Sequence, residues 1–115
     1  MTPPDRQADY VRLMQNAAIQ IIDYTAGMDR EGFLADAKTQ DAVIMKLLVI
    51  GELAAKLIDG HSALIAAHPE IPWHQMKGMR NRMAHGYFEL DLDVVWETVR
   101  QAIPDLAKHL RALAH

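Results

Sequence analysis

Val43-Ile44-Met45-Lys46-Leu47-Leu48-Val49-Ile50-Gly51-Glu52-Leu53-Ala54-Ala55-Lys56-Leu57-Ile58 decides the fold of this 115-residue chain. Apolar side chains cover most of the wheel when the run is wound as a helix. The charged positions 46, 52, 56 and 59 crowd into roughly a third of it, at ~100° per residue. Thr39 is the expected N-cap of this second long helix and Asp59-Gly60 its end. A helix apolar over so much of its surface is either central in its own bundle or buried against a second copy. In a chain this small a symmetric dimer is the more economical reading. The stretch is too short, and too interrupted by Lys46, Glu52 and Lys56, to span a bilayer.

Working outward, Pro3-Pro4-Asp5 opens a first helix whose Tyr10, Leu13, Ala17, Ile21 and Tyr24 recur every three or four residues, ending near Gly27. The stretch 28–38 is a connector that packs its Phe33-Leu34 pair on the bundle. A short helix covers Ser62 to Ala67 and is broken by Pro69 and Pro72. Another runs from Trp73 or His74 to His85, with Gly86 as a left-handed stop. Asp91 or Asp93 caps the last helix, which carries Leu92, Val95, Trp96, Val99, Ile103, Leu106, Leu110 and Leu113, and Pro104 is expected to kink it. No strand pattern or internal repeat occurs, so the expected class is all-α, a bundle of four to five helices in one domain over 1–115.

Half the residues are apolar and 6% are aromatic, and cysteine is absent, which excludes disulfides, thiolate metal sites and thiol nucleophiles. The first residues have no apolar signal region. A soluble, cytoplasmic protein with no membrane association is the expectation.

Charge is unevenly placed. The chain has 12 basic and 15 acidic residues, yet no Asp or Glu occurs between Glu70 and Glu89. Lys77, Arg80 and Arg82 fall in that gap with His74 and His85, leaving 9 basic against 15 acidic residues elsewhere. A cationic island with a titratable imidazole suits a phosphate-bearing ligand. On the helical wheel Met76, Met79 and Met83 form one stripe, read as a core face. Gly78, Asn81 and His85 lie opposite, where a glycine would admit another backbone or a nucleic-acid strand. Arg80 stands about 140° from His85. Either its side chain wraps around, or Arg80 of one subunit meets His85 of another at a two-fold interface.

Such a cluster suits phosphodiester transfer in RNA, which brings its own nucleophile in the 2′-hydroxyl. His85 supplies an acid or base near neutrality, and Arg80 a guanidinium for the developing phosphorane charge. Asn81 would hold the imidazole or a phosphate oxygen. A satisfied helix-end histidine beside surface arginines is the plainer alternative. Glu52 is either one more residue of a polar strip or a carboxylate that orients Arg80 or His85. The histidines at 61, 68, 74, 85, 109 and 115 form no His-x-x-x-His or Glu-x-x-His pair, so neither metal nor cofactor is expected. Trp73 and Trp96 read as core anchors.

Arg80-x-x-x-x-His85-x-Tyr87, with Ile71-Pro72-Trp73 and Gly78-Met79 before it, resembles the HepT-like branch of the HEPN superfamily. Asp41-Ala42-Val43, Ile50-Gly51-Glu52, His85-Gly86-Tyr87 and Val95-Trp96 extend the likeness over nearly the whole chain. The resemblance implies a homodimeric, metal-independent ribonuclease toxin of a type VII toxin–antitoxin pair, acting on transfer or messenger RNA. It assigns catalysis to Arg80 and His85, with Asn81 at the polar position after the arginine. Lys77 and Arg82 are the expected RNA contacts. The implied partner is an MntA-type nucleotidyltransferase antitoxin that adds AMP to Tyr87, a residue whose plainer reading is a packed aromatic at the helix end. A second class stays open, a non-catalytic helical module that docks a nucleotidyltransferase and helps bind its nucleotide or substrate.

Overall fold

The computed structural model describes residues 5–86 and 89–113, and all regular structure among them is helical. Helix α1 (Gln7–Tyr24) leads through the five-residue α2 (Arg30–Leu34) into α3 (Ala37–Gly60). A short α4 (Ser62–Ala67) and then α5 (Trp73–His85) follow. The last rod is α6 (Leu92–Glu97), a π-helical turn (Thr98–Ala102) and α7 (Ile103–Leu113), joined through helical backbone at Glu97, Thr98 and Ile103.

α3 is the central helix of the chain, packed on both α1 and α5. Val43, Ile44, Leu47, Ile50, Leu53, Ala54 and Leu57 are buried in the core that α1 and α7 complete with Met14, Ile21, Leu106 and Leu110. Glu52, Lys56 and Asp59 point to solvent, as their crowding on the wheel requires. Met45 breaks that polar strip and is 58% exposed.

Capping explains where α3 starts, and corrects the expected start. Asp36, not Thr39, is the N-cap: its carboxylate accepts the Thr39 backbone N–H at 3.1 Å and the Thr39 hydroxyl at 2.8 Å. First-turn amides have no partner inside the helix, and an oxygen one residue before it can reach them, whereas Thr39 is already inside. The Thr39 N–H, then its hydroxyl, hold the Asp36 carboxyl below the usual range. One residue on, the Gln40 amide donates to the carbonyls of Phe33 at 2.9 Å and Leu34 at 3.0 Å at the end of α2. Phe33 is fully buried and stacks on Trp96, ring centroids 5.2 Å apart.

Two further expectations are corrected. The buried stripe of α1 is Val11, Met14, Ala17, Ala18 and Ile21, while Leu13 and Tyr24 are exposed. α1 packs on both α3 and α7, and the small Ala17-Ala18 pair lets them approach, which turns the stripe away from Leu13. α1 also stops at Tyr24, where the Thr25 hydroxyl donates to the Ile21 carbonyl at 2.9 Å and Gly27 turns the chain at φ +77°. Pro104 sits on the first turn of α7, directly behind the π turn. That turn widens the helix where the proline ring would crowd the carbonyl four residues back and leave it without a donor. Asp91 caps this rod, accepting the Asp93 N–H at 2.9 Å. No described helix is long and apolar enough to cross a membrane.

Candidate functional site

α5 begins at Pro72, whose carbonyl accepts the Met76 N–H at 3.0 Å, and is anchored by the buried Trp73, whose indole donates to the His68 carbonyl at 3.0 Å. Met83 is buried, and Met76 and Met79 pack against the core from the same face. That face fixes the rotation of the helix. It leaves Asn81 and His85 exposed, Arg80 and Lys77 half-buried, and Arg82 exposed. The cations Arg82 and His85 occupy the last turn, where the helix dipole favours positive charge. The helix ends as the Gly86 N–H bonds the Arg82 carbonyl at 2.9 Å, with Gly86 at φ −138°, so the expected left-handed stop does not form.

The close approach between α3 and α5 is made at Gly51. A Cβ at Gly51 would overlap Arg80 Cβ and stand 2.8 Å from the Met76 carbonyl oxygen and 3.0 Å from Arg80 Cγ, so α3 and α5 cross at a point that admits only glycine. At Gly78 the nearest atom is the Arg82 guanidinium, 3.7 Å away, at ordinary contact distance. Gly51→Ala is therefore expected to force the crossing apart and destabilise the fold by about 1–3 kcal/mol, the usual cost of overpacking. Denaturant unfolding reads this directly, and an unchanged midpoint would show that the crossing opens without cost.

The same crossing sets Arg80. Its side chain, 25% exposed, runs over Gly51 and places Nη1 2.6 Å from Oε2 of Glu52, itself 53% exposed. Nε is buried and has no partner among the described residues. Glu52 thus lies against the cationic helix, 28 positions away in sequence, and offsets one of its three cations. At this exposure the ion pair is worth under about 1 kcal/mol, so its consequence is the direction of the guanidinium rather than stability.

His85 faces elsewhere. With Arg82 it lines an open groove of about 480 Å³ between the end of α5 and the start of α6. Met79, Met83, Leu90, Val94 and Val95 form its apolar lining, and Glu89 and Asp91 add carboxylates. Arg80 is not among the lining residues. Five residues of helix separate Arg80 from His85, about 7.5 Å along the axis. The fold joins Arg80 to Glu52 and sets His85 and Arg82 along one groove, with Arg80 outside its lining. The Asn81 side chain has no hydrogen bond among the described residues, and Tyr87 lies outside them. No three His, Asp or Glu side chains converge as a metal-binding group among the described residues.

Residues 14–113 match the family described as Ribonuclease HepT-like. The chain belongs to the HepT-like ribonuclease family. It is 41% identical over 98 residues to a Thermococcus cleftensis protein named "Probable ribonuclease HepT", an alignment covering 85% of this chain and 86% of that one. A Methanocaldococcus jannaschii protein named "Putative RNase MJ0127" is 33% identical over 113 residues, covering 98% and 90%. A second from that organism, "Putative RNase MJ0125", is 36% identical over 93 residues, covering 81% and 78%. No solved structure matches this chain significantly. Glu89 and Val94 of this HepT-like chain were missed in the sequence. Glu89 marks only the edge of the acid-free gap, and Val94 reads as one more apolar residue of a capped helix.

Proposed function

We propose that this chain is a metal-independent endoribonuclease of the HEPN type, with Arg80 and His85 as its catalytic residues. The observation that carries the reading is a pairing on one helix of a HepT-like family member: an arginine held at 2.6 Å by Glu52, and an exposed histidine beside a groove. The 2′-oxygen of RNA bonds to the adjacent phosphorus as the bond to the 5′-oxygen breaks. One proton leaves the 2′-hydroxyl and another reaches the departing 5′-oxygen. His85 carries that proton traffic. With Nε buried and one Nη1 proton on Glu52, the N–H groups of Nη2 and the second one of Nη1 are the donors left for a phosphorane oxygen. Asn81 supports the imidazole or a phosphate oxygen, and Lys77 and Arg82 take flanking phosphates of transfer or messenger RNA.

The separation of Arg80 from His85 within one chain supports a homodimer, in which two histidines and two arginines meet across a two-fold axis. The family resemblance supports a toxin role, with a nucleotidyltransferase antitoxin silencing the enzyme by adding AMP to Tyr87. Negative charge and bulk two residues beyond His85 would oppose an RNA phosphate there.

The test is RNA cleavage by the purified, unmodified protein in EDTA, with product ends identified. Products ending in 2′,3′-cyclic phosphate and 5′-hydroxyl are expected. No cleavage of either RNA class by a folded protein would transfer the reading to a module that docks a nucleotidyltransferase. Mass spectrometry after co-expression with such an enzyme reads the silencing step. An AMP adduct on Tyr87 is expected, and an unmodified tyrosine in an inactive complex removes that step.

A further inference from the structure

The groove beside His85 has a division of charge that a phosphate site does not need. Arg82 lies on its α5 side, while Glu89 and Asp91 lie on the side leading into α6, over a lining made by Met79, Leu90 and Val94. Two carboxylates would repel a phosphate drawn into the groove. A neutral planar group with hydrogen-bond donors at its edge fits the same surroundings. Val94 is 52% exposed, an apolar surface open to solvent on the first turn of a helix. Thioether and aliphatic groups of this kind are good partners for the face of a heteroaromatic ring. The volume, about 480 Å³, lies within the range of small-molecule sites.

The two carboxylates are not equivalent. Asp91 is committed to the helix cap, accepting the Asp93 N–H at 2.9 Å. The Glu89 carboxylate is exposed and has no hydrogen-bond or ion-pair partner among the described residues, and its Oε2 stands 3.9 Å from where a Cβ on Gly86 would lie, next to His85 in the chain. An ionised carboxylate offers two acceptors side by side and no donor. Among the four RNA bases only guanine presents two adjacent donors on its pairing edge, N1–H and the 2-amino group. Adenine and cytosine set an acceptor beside their amine, and uracil flanks its one N–H with two carbonyls.

We propose that this groove is a nucleobase subsite of the RNA-binding face, selective for guanine, with Glu89 as the residue that reads the base. Single-stranded RNA is recognised in this way, by splaying a base onto a flat surface and bonding its pairing edge. Arg82 then takes the phosphate attached to the bound nucleoside, on the cationic rim. The inference rests on the ribonuclease reading for its substrate, and adds the base that lies next to the phosphate His85 acts on.

The test separates the two. Binding is measured with 2′-O-methyl uridine tetranucleotides carrying one guanine or one adenine, which cannot be cleaved. The wild-type protein is expected to bind the guanine oligomer at least about tenfold more tightly. Glu89→Gln is expected to abolish or invert that preference, because a carboxamide carries one donor and one acceptor and suits adenine. Val94→Asp should weaken both oligomers together. Equal binding of guanine and adenine by the wild type, or a guanine preference that survives Glu89→Gln, overturns the proposal. So does a groove blind to both bases in which Val94→Asp instead changes the oligomeric mass, since a second copy of the chain would then occupy it. Guanine-selective binding without cleavage of ordinary RNA would leave the subsite standing and remove the ribonuclease reading. Cleavage without base preference would do the reverse.

Discussion

Replacing His85 by alanine is expected to lower RNA cleavage by about 100- to 10,000-fold, the range that positioned acid–base catalysis contributes. The side chain is exposed on the last residue of α5 and holds nothing in the core. Substitutions at such positions change stability by roughly 0.5 kcal/mol or less. Activity and folding are therefore separable here. Initial rates in EDTA, measured beside denaturant unfolding of the same preparation, check both. Collapse of cleavage with an unmoved unfolding midpoint ties the loss to chemistry. Cleavage within a few-fold of wild type would sink the assignment of His85 and point to water or another group as the base. Loss of both activity and stability would show that the imidazole has a packing role the exposed geometry does not suggest.

Arg80→Ala is the second large effect, an expected fall of about 100- to 1,000-fold in kcat, as for removal of one donor from a developing oxyanion. Glu52 is half-exposed, so losing its partner strands no buried charge, and the loss should be catalytic in the main. Glu52→Gln makes the comparison sharper. A carboxamide oxygen still accepts from Nη1 but no longer anchors it by charge, so a smaller loss, on the order of tenfold, is expected. If Glu52 only decorates the surface, that variant will match wild type. Should Arg80→Lys retain full activity, charge alone would suffice and the directed guanidinium would be unnecessary. Mixing Arg80→Ala and His85→Ala subunits probes the dimer. Recovery of activity supports a site shared across the two-fold axis.

The two faces of α5 show how much of the site could be read in advance. The methionine stripe at 76, 79 and 83 has helical spacing, and spacing is a local property, so it locates the buried face and leaves Asn81 and His85 outward without any tertiary information. The same holds for the crowded charges of α3, for the proline breaks before Trp73 and for a family pattern carried by contiguous residues. What resisted reading is every relation between residues far apart in sequence or on neighbouring surfaces. Thr39 looked like a cap because it precedes the apolar run, and only the folded backbone shows Asp36 accepting its N–H. Nothing in Ile50-Gly51-Glu52 names the helix it will meet, and only the folded chain shows α5 crossing α3 at Gly51.

Sequence alone determined the all-α class, the helix carrying the cations, its inward methionines and its membership in a recognisable pattern. Those follow from periodicity and composition within single segments, where a side chain's direction depends on its own backbone. Tertiary structure alone decided that Glu52 clasps Arg80, that Gly51 sets their distance, and that Glu89 and Val94 join His85 around one groove. Each requires the crossing of α3 with α5 or the return of α6, and the contact energy at a crossing depends on two surfaces at once. No single stretch of chain encodes it.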